Sequence, residues 1–173
     1  EGVSNSTIIQ EMVDYVAYEN SDDKDAFCKI NDERKVKEAL SKEGKVYVDR
    51  SYVSTLAYNY IQYKSKGSDE YIHSLAWYME GITDGKLVTP DAYIYIDIGA
   101  KESLSRAKKL GKFDKSIAWY EDPVTAKKFY EAFFNFLEPD VPLLRLDGTE
   151  SLKSLEKKTY DFISRLERPN EYV

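Results

Sequence analysis

"KVYVDRSYVSTLAYNY", Lys45 to Tyr60, runs from an apolar, β-rich tetrapeptide into a carboxylate and a guanidinium and then into a tyrosine-rich stretch. A run as short as Lys45–Val48, preceded by Gly44 and ended by charge, reads as a strand. Tyr52 to about Tyr63 reads as a helix, broken by "SKGSD" at 65–69. A charged pair at the end of a core strand is therefore the feature that the rest of the chain has to explain.

The alternation of helix and strand extends in both directions. Upstream, Ile9, Met12, Val13 and Val16 recur at helical spacing, as do Val36, Ala39 and Leu40 ahead of Gly44, so two helices are expected before the first strand. Downstream, Tyr71, Ile72, Leu75, Tyr78, Met79 and Ile82 make an amphipathic helix, and "VTPDAYIYIDIGA" predicts a strand over 92–98 that is apolar enough to be central. Phe129, Tyr130, Phe133, Phe134 and Leu137 form an apolar stripe, "VPLLRL" predicts a third strand, and 152–166 a closing helix. Strands separated by helices imply an α/β fold with a parallel sheet, in which ligands sit at the carboxyl ends of the strands. No internal repeat or low-complexity tract interrupts this pattern.

Composition narrows the classes. A chain of 173 residues, 42% hydrophobic and 14% aromatic, is long enough to bury a full core and suggests one domain over 1–173. A formal net charge of −6 argues against the broad basic surface of a nucleic-acid polymer binder, so any phosphate site has to be local. The single cysteine, Cys28, leaves no internal disulfide, and the single histidine, His73, leaves no Cys/His zinc cluster; a reducing, cytoplasmic setting fits. No run approaches the roughly 18 apolar residues of a membrane span, and the first residues lack a signal-peptide pattern.

Two constellations carry chemistry. Asp49 and Arg50 lie where the first strand delivers its carboxyl end. Arginine there offers a planar fork for phosphate or carboxylate, and aspartate can orient it, accept a proton, or approach magnesium through water. The alternative is a pair that only caps the following helix. The second is "KESLSRAKKLGKFDK", where Lys101, Arg106, Lys108, Lys109, Lys112 and Lys115 stand against Glu102 and Asp114 in an otherwise acidic chain. Arg106 and Lys109 share a helical face, and Gly111 would let the chain turn so that Lys112 and Lys115 close over a bound anion. Such a lid, about 106–122, would exclude water and neutralise a transferring phosphoryl group. The alternative is a solvated basic helix.

At these residues the chain resembles thymidylate kinases. "GKVYVDRSYVSTLAYNY" is similar to their Asp-Arg-x-x-x-Ser-x-x-Ala-Tyr-Gln segment, with Asp49, Arg50, Ser54, Ala57 and Tyr58 in register and Asn59 where the family usually has glutamine. "PDAYIYIDIGAKESLSRAKKLGKFDK" is similar to the family's strand-to-lid passage, and "LLRLDGTESLKSLEKKTYDFI" to its last strand and closing helix. "STIIQEMVDYV" and "DERKVKEAL" look like the two helices before the Asp-Arg strand, and the likeness covers most of the chain from about Phe27. Deoxynucleoside kinases share the fold and an acid-Arg-Ser turn to which "DRS" is also similar.

The resemblance implies a three-layer α/β/α, P-loop nucleotide kinase fold. It also implies transfer of the γ-phosphoryl of ATP, with magnesium, to a deoxynucleoside monophosphate such as dTMP. Arg50 would hold the acceptor phosphate and Asp49 would sit by magnesium, through water. Ser54, Tyr58, Asn59 and Lys29 would line the nucleoside pocket, Asn59 offering both donors and acceptors. Arg106, Lys112 and Lys115 would act from the lid, and Asp147, Gly148 and Thr149 would form the loop that passes the adenine of ATP. A homodimer is usual in the resembled family.

The chain also departs from that pattern. Leu110 and Lys115 stand where many members carry arginine, and lysine does not reproduce a bidentate fork. A base-contacting arginine of the family falls by spacing at Cys28 or Lys29, with Arg34 displaced. "SIAWYEDPVTAKK" is longer than expected, and Trp119 and Tyr120 would pack the closed lid. No G-x-x-x-x-G-K-[ST] occurs, and "EGVSNST" at 1–7 has no Gly-Lys to replace it. In the family, the strand feeding that loop lies between the Asp-Arg strand and the "YIYID" strand. Losing it would cost about 1 to 3 kcal/mol for each buried unpaired group. An N-terminal strand and phosphate loop are therefore expected ahead of Glu1 in the natural protein.

Three functional readings follow: a thymidylate kinase-like or deoxynucleoside kinase enzyme, a nucleotide-binding module without the phosphate loop, and a generic α/β domain. Cys28 reads as core-lining, His73 as a surface helix residue and Trp77 as core. The fifteen tyrosines would mostly cover half-buried helix faces.

Overall fold

A computed structural model describes residues 6–10, 17–18, 20–109 and 123–167 of the chain. In order, the elements are β1 (Ser6–Ile9), α1 (Lys24–Leu40), β2 (Lys45–Val48), α2 (Tyr52–Lys66), α3 (Glu70–Thr83), β3 (Tyr93–Asp97), α4 (Ala100–Lys109), α5 (Pro123–Ala132), β4 (Leu143–Asp147) and α6 (Leu152–Leu166). The class is α/β, and every strand pair among the described residues is parallel. The strands form two two-stranded sheets, β1 with β2 and β3 with β4. The described residues up to Thr89, with Thr125–Tyr130, make one compact unit, and the remainder makes a second.

In the first unit, β1 corrects the expected helix at its start. Ser6 pairs with Lys45 and Ile9 with Val48, and Asp49 N–H donates to the Ile9 carbonyl at 2.8 Å. The β-branched run Thr-Ile-Ile suits a ladder better than a helix, and the ladder satisfies its backbone groups. Residues 11–16, the rest of that expected helix, lie outside the described residues.

The helices begin and end where local chemistry dictates. Asp23 caps α1 by accepting from Ala26 N–H at 2.9 Å, and Ser51 caps α2. Helix α2 stops at Gly67, whose φ of 68° is a left-handed conformation that a side chain would resist. Ile9, Tyr52, Leu56, Ile61 and Tyr78 are buried and supply much of this unit's core. Ile72 and Met79, read as part of the apolar face of α3, are instead exposed. The buried residues of that helix include Ser74, Tyr78 and Gly81, and Gly81 lies against Leu87. His73 is exposed, as expected.

In the second unit, β3 and β4 run in register from Tyr93 opposite Leu143 to Asp97 opposite Asp147. Phe133 and Phe134 pack beside them, the Phe134 ring centroid 5.0 Å from that of Tyr93 and 5.7 Å from that of Tyr95. After α5 the chain opens into one wide π-helical turn, Phe133–Leu137, closed by Glu138 N–H on the Phe133 carbonyl at 3.2 Å. Glu138 is buried and accepts the Tyr93 hydroxyl at 2.6 Å, so its polar group is satisfied. No helix among the described residues is long and apolar enough to cross a membrane.

Candidate functional site

The carboxyl end of β2 opens onto a narrow polar cleft between α1 and α2. Cys28, Asn31, Asp32 and Lys35 of α1 line it with Arg50, Ser51, Ser54 and Thr55. Asp49 and Arg50 are both exposed there, between the last residue of β2 and the cap of α2. Arg50 is the one non-glycine residue with positive φ among the described residues, at 56°. A left-handed conformation places Cβ close to the following carbonyl, so it persists in an L-residue only where surrounding structure holds it.

The wall of the cleft is an ordered polar network. Lys35 Nζ lies 2.8 Å from Asp32 Oδ1, and the two side chains are only 3% and 4% exposed. Asp32 Oδ2 accepts from the Thr55 hydroxyl at 2.7 Å, and Lys35 also donates to the Arg50 carbonyl at 3.1 Å. A buried charge pair is tolerable when its remaining hydrogen-bonding capacity is used in this way. Cys28, expected in the core, is half-buried and faces this network.

A second network joins the start of α1 to α2 and α3. Asn59, buried, donates its amide to Asp25 Oδ1 at 2.5 Å and to the Ser74 hydroxyl at 2.7 Å. Lys29 pairs with Asp25 Oδ2 at 2.5 Å and lies 5.8 Å from the Trp77 ring centroid. Trp77 is half-buried and not core, and its indole N–H donates to Glu33 at 2.9 Å. Burial first, then the Cys28 thiol and the Asp25 and Glu70 carboxylates, raises the Tyr58 phenol above its ordinary pKa. Ser54 is half-buried and accepts from the Tyr130 hydroxyl at 3.4 Å. Arg34, the displaced arginine, binds Asn31 and Glu38 on its own helix.

The remaining candidates lie in the second unit. Arg106 pairs with Glu102 at 2.8 Å and donates to the Gly148 carbonyl at 3.1 Å, tying α4 to the turn after β4. In that turn Asp147 Oδ1 accepts the Thr149 hydroxyl at 2.6 Å and the Thr149 N–H at 2.9 Å. Those two bonds, the hydroxyl's first, hold the Asp147 carboxyl below its ordinary pKa. Glu150 is lowered likewise by Lys158 and Ser154. Lys112 and Lys115, and the lid beyond residue 109, lie outside the described residues.

Sequence reasoning missed Asp25, Asp32, Lys35, Thr55 and Ser74. The signal was present in α1: Asp25, Lys29 and Asp32 recur at i, i+4 and i+7, which stacks them on one helix face. Among the described residues no group of three or more His, Cys, Asp or Glu side chains could hold a metal ion. Asp49 is a single exposed carboxylate, the donor set of a magnesium ion that keeps most of its ligands as water and phosphate.

The structure is similar to that of a deoxyadenosine kinase from M. mycoides with bound dATP, at a TM-score of 0.63 and 16% identity, covering 92% of this chain and 98% of that one. The chain thus shares the α/β fold of that structure. No family model and no curated relative matches the chain.

Proposed function

We propose that this protein is a kinase-like phosphotransferase whose α1–α2 cleft takes a deoxynucleoside or its 5′-monophosphate as acceptor, with ATP as donor. The observation that carries the reading is the polar cleft at the carboxyl end of β2, with Arg50 at its mouth in a left-handed conformation. Open α/β sheets bind ligands at this position, and a guanidinium is suited to phosphate oxygens.

In this reading Arg50 engages the 5′ end of the acceptor. Asp49 is the carboxylate beside a hydrated magnesium ion, which would neutralise charge between donor and acceptor. Ser54 lines the cleft, Lys29 and Tyr58 contribute to the nucleoside pocket from the neighbouring Asp25 network, and Asn59 acts through Asp25, to which its amide is bonded. Arg106, Lys112 and Lys115 neutralise charge on the transferring group, and Asp147 to Thr149 pass the adenine of ATP. Catalysis of this type is mostly positioning and electrostatics. A cytoplasmic setting and a homodimer belong to the same proposal.

Two acceptors are distinguished by one atom group. The register of Asp49, Arg50, Ser54, Ala57 and Tyr58 favours dTMP. The M. mycoides enzyme, whose structure holds dATP, favours a deoxynucleoside. Calorimetry with deoxyadenosine, dAMP, thymidine and dTMP, repeated with Arg50→Ala, separates them. Binding that needs the 5′-phosphate and is lost in the variant supports a monophosphate acceptor, and equal binding without the phosphate supports a nucleoside acceptor. A folded sample that binds none of the four refutes the cleft assignment.

A further inference from the structure

The turn that carries Arg50 is held from below. Asp49 N–H continues the ladder onto Ile9, and at the next residue the backbone swings to φ 56°. The carbonyl of this residue accepts a hydrogen bond from a side chain. The donor is Lys35 Nζ, at 3.1 Å, reaching across from α1. Lys35 is almost fully buried, and Asp32, equally buried, neutralises it at 2.8 Å. Thr55, one turn into α2, fixes the other oxygen of Asp32. The chain of contacts thus runs from Thr55 through Asp32 and Lys35 to the main chain of the anion-binding candidate. The ammonium does not serve as an exposed phosphate ligand, because its charge is already paired inside.

We infer that Lys35 is a positioning residue for Arg50: its buried ammonium holds the Arg50 peptide in the left-handed conformation and so sets the guanidinium for the 5′ end of the acceptor. This rests on the acceptor reading above for its second half only; the conformational half stands on geometry alone. Asp32 and Thr55 serve Lys35, as counterion and as clamp. Lysine suits the task because a single point donor on a flexible stem can reach one carbonyl and one carboxylate at once.

The test compares wild type with Lys35→Met, Lys35→Arg and the double variant Asp32→Asn/Lys35→Met. The double variant buries no unpaired charge and keeps an acceptor for Thr55, so it remains informative where Lys35→Met alone fails to fold. Two quantities are read: φ at residue 50 in a crystal structure, and the ratio of affinities for dAMP and deoxyadenosine by calorimetry. The inference expects residue 50 to leave positive φ in the double variant and the phosphate-dependent ratio to fall by about tenfold, with Lys35→Arg restoring most of it. A merely structural lysine would weaken both ligands alike and leave the ratio unchanged. Residue 50 retaining its positive φ without Lys35, or an unchanged ratio in a phosphate-dependent wild type, overturns the inference. If wild type binds neither ligand, or binds them equally, it is phosphate recognition by the cleft that fails, and φ at residue 50 still decides what Lys35 does.

Discussion

Gly148→Ala tests the close approach of the turn after β4 to the end of β3. Gly148 N–H donates to the Asp97 carbonyl at 2.8 Å, which draws the two backbones together. A Cβ at this position would lie 2.2 Å from Cγ2 of Ile98 and 2.8 Å from Cγ2 of Ile96. Both obstructing atoms sit on β-branched side chains, which have little χ1 freedom with which to withdraw. Overpacking of this kind costs about 1 to 3 kcal/mol. For a chain of this size each kcal/mol lowers the melting temperature by roughly 2 to 4 °C. Thermal unfolding followed by circular dichroism should therefore show a fall of roughly 2 to 12 °C. Ile98→Leu moves the branch away from Cβ and removes the nearest atom. Combined with Gly148→Ala, it should recover at least about 0.5 kcal/mol beyond additivity. An unchanged melting temperature for Gly148→Ala, or strict additivity in the double variant, would refute the reasoning.

Asn59→Ala strips the donor shared by Asp25 and Ser74 in a buried setting and should destabilise by about 1 to 3 kcal/mol in urea titrations; no loss would mean that the network is not formed. Thr149→Val removes the main cause of the depressed Asp147 pKa, so the carboxyl titration followed by carbon NMR should move up toward the ordinary range. Because the folded-state value is depressed, the turn's contribution is complete above the ordinary carboxylate pKa and is lost as pH falls through the lower folded-state value. A titration that Thr149→Val leaves in place would remove that argument. Replacing Glu102 with glutamine should leave the melting temperature nearly unchanged, since its pair with Arg106 is exposed on a helix surface, and a large fall would contradict this.

What was legible in the sequence was what local chemistry decides. Lys45–Val48 and Leu152–Leu166 could be read because each carries its own pattern, as a β-rich tetrapeptide or a long period of 3.6. Ser6–Ile9 could not: Ile9 also fits a helical spacing with Met12, Val13 and Val16, and the partner that makes it a strand lies far along the chain. Ile72 and Met79 were misread on α3 for a related reason, since period identifies a face but not whether anything covers it. At the site, Asp49 and Arg50 were found from the rule that strand ends face ligands. Asp32 and Lys35 were not, because an acid and a base three apart on a helix usually mark a solvated surface. Only the packing of α1 against α2 shows the pair to be interior.

The wide turn at Phe133–Leu137 makes rotation a counted quantity. One extra residue in a helical segment turns everything after it by about 100° relative to an uninterrupted helix. Phe133 and Phe134 are buried while Phe136 is 81% exposed and Leu137 42% exposed, although the apolar stripe extrapolates to Leu137. Deleting Asn135 would thus act as a twist on the segment leading into β4, whereas replacing it would change only a side chain at an exposed position.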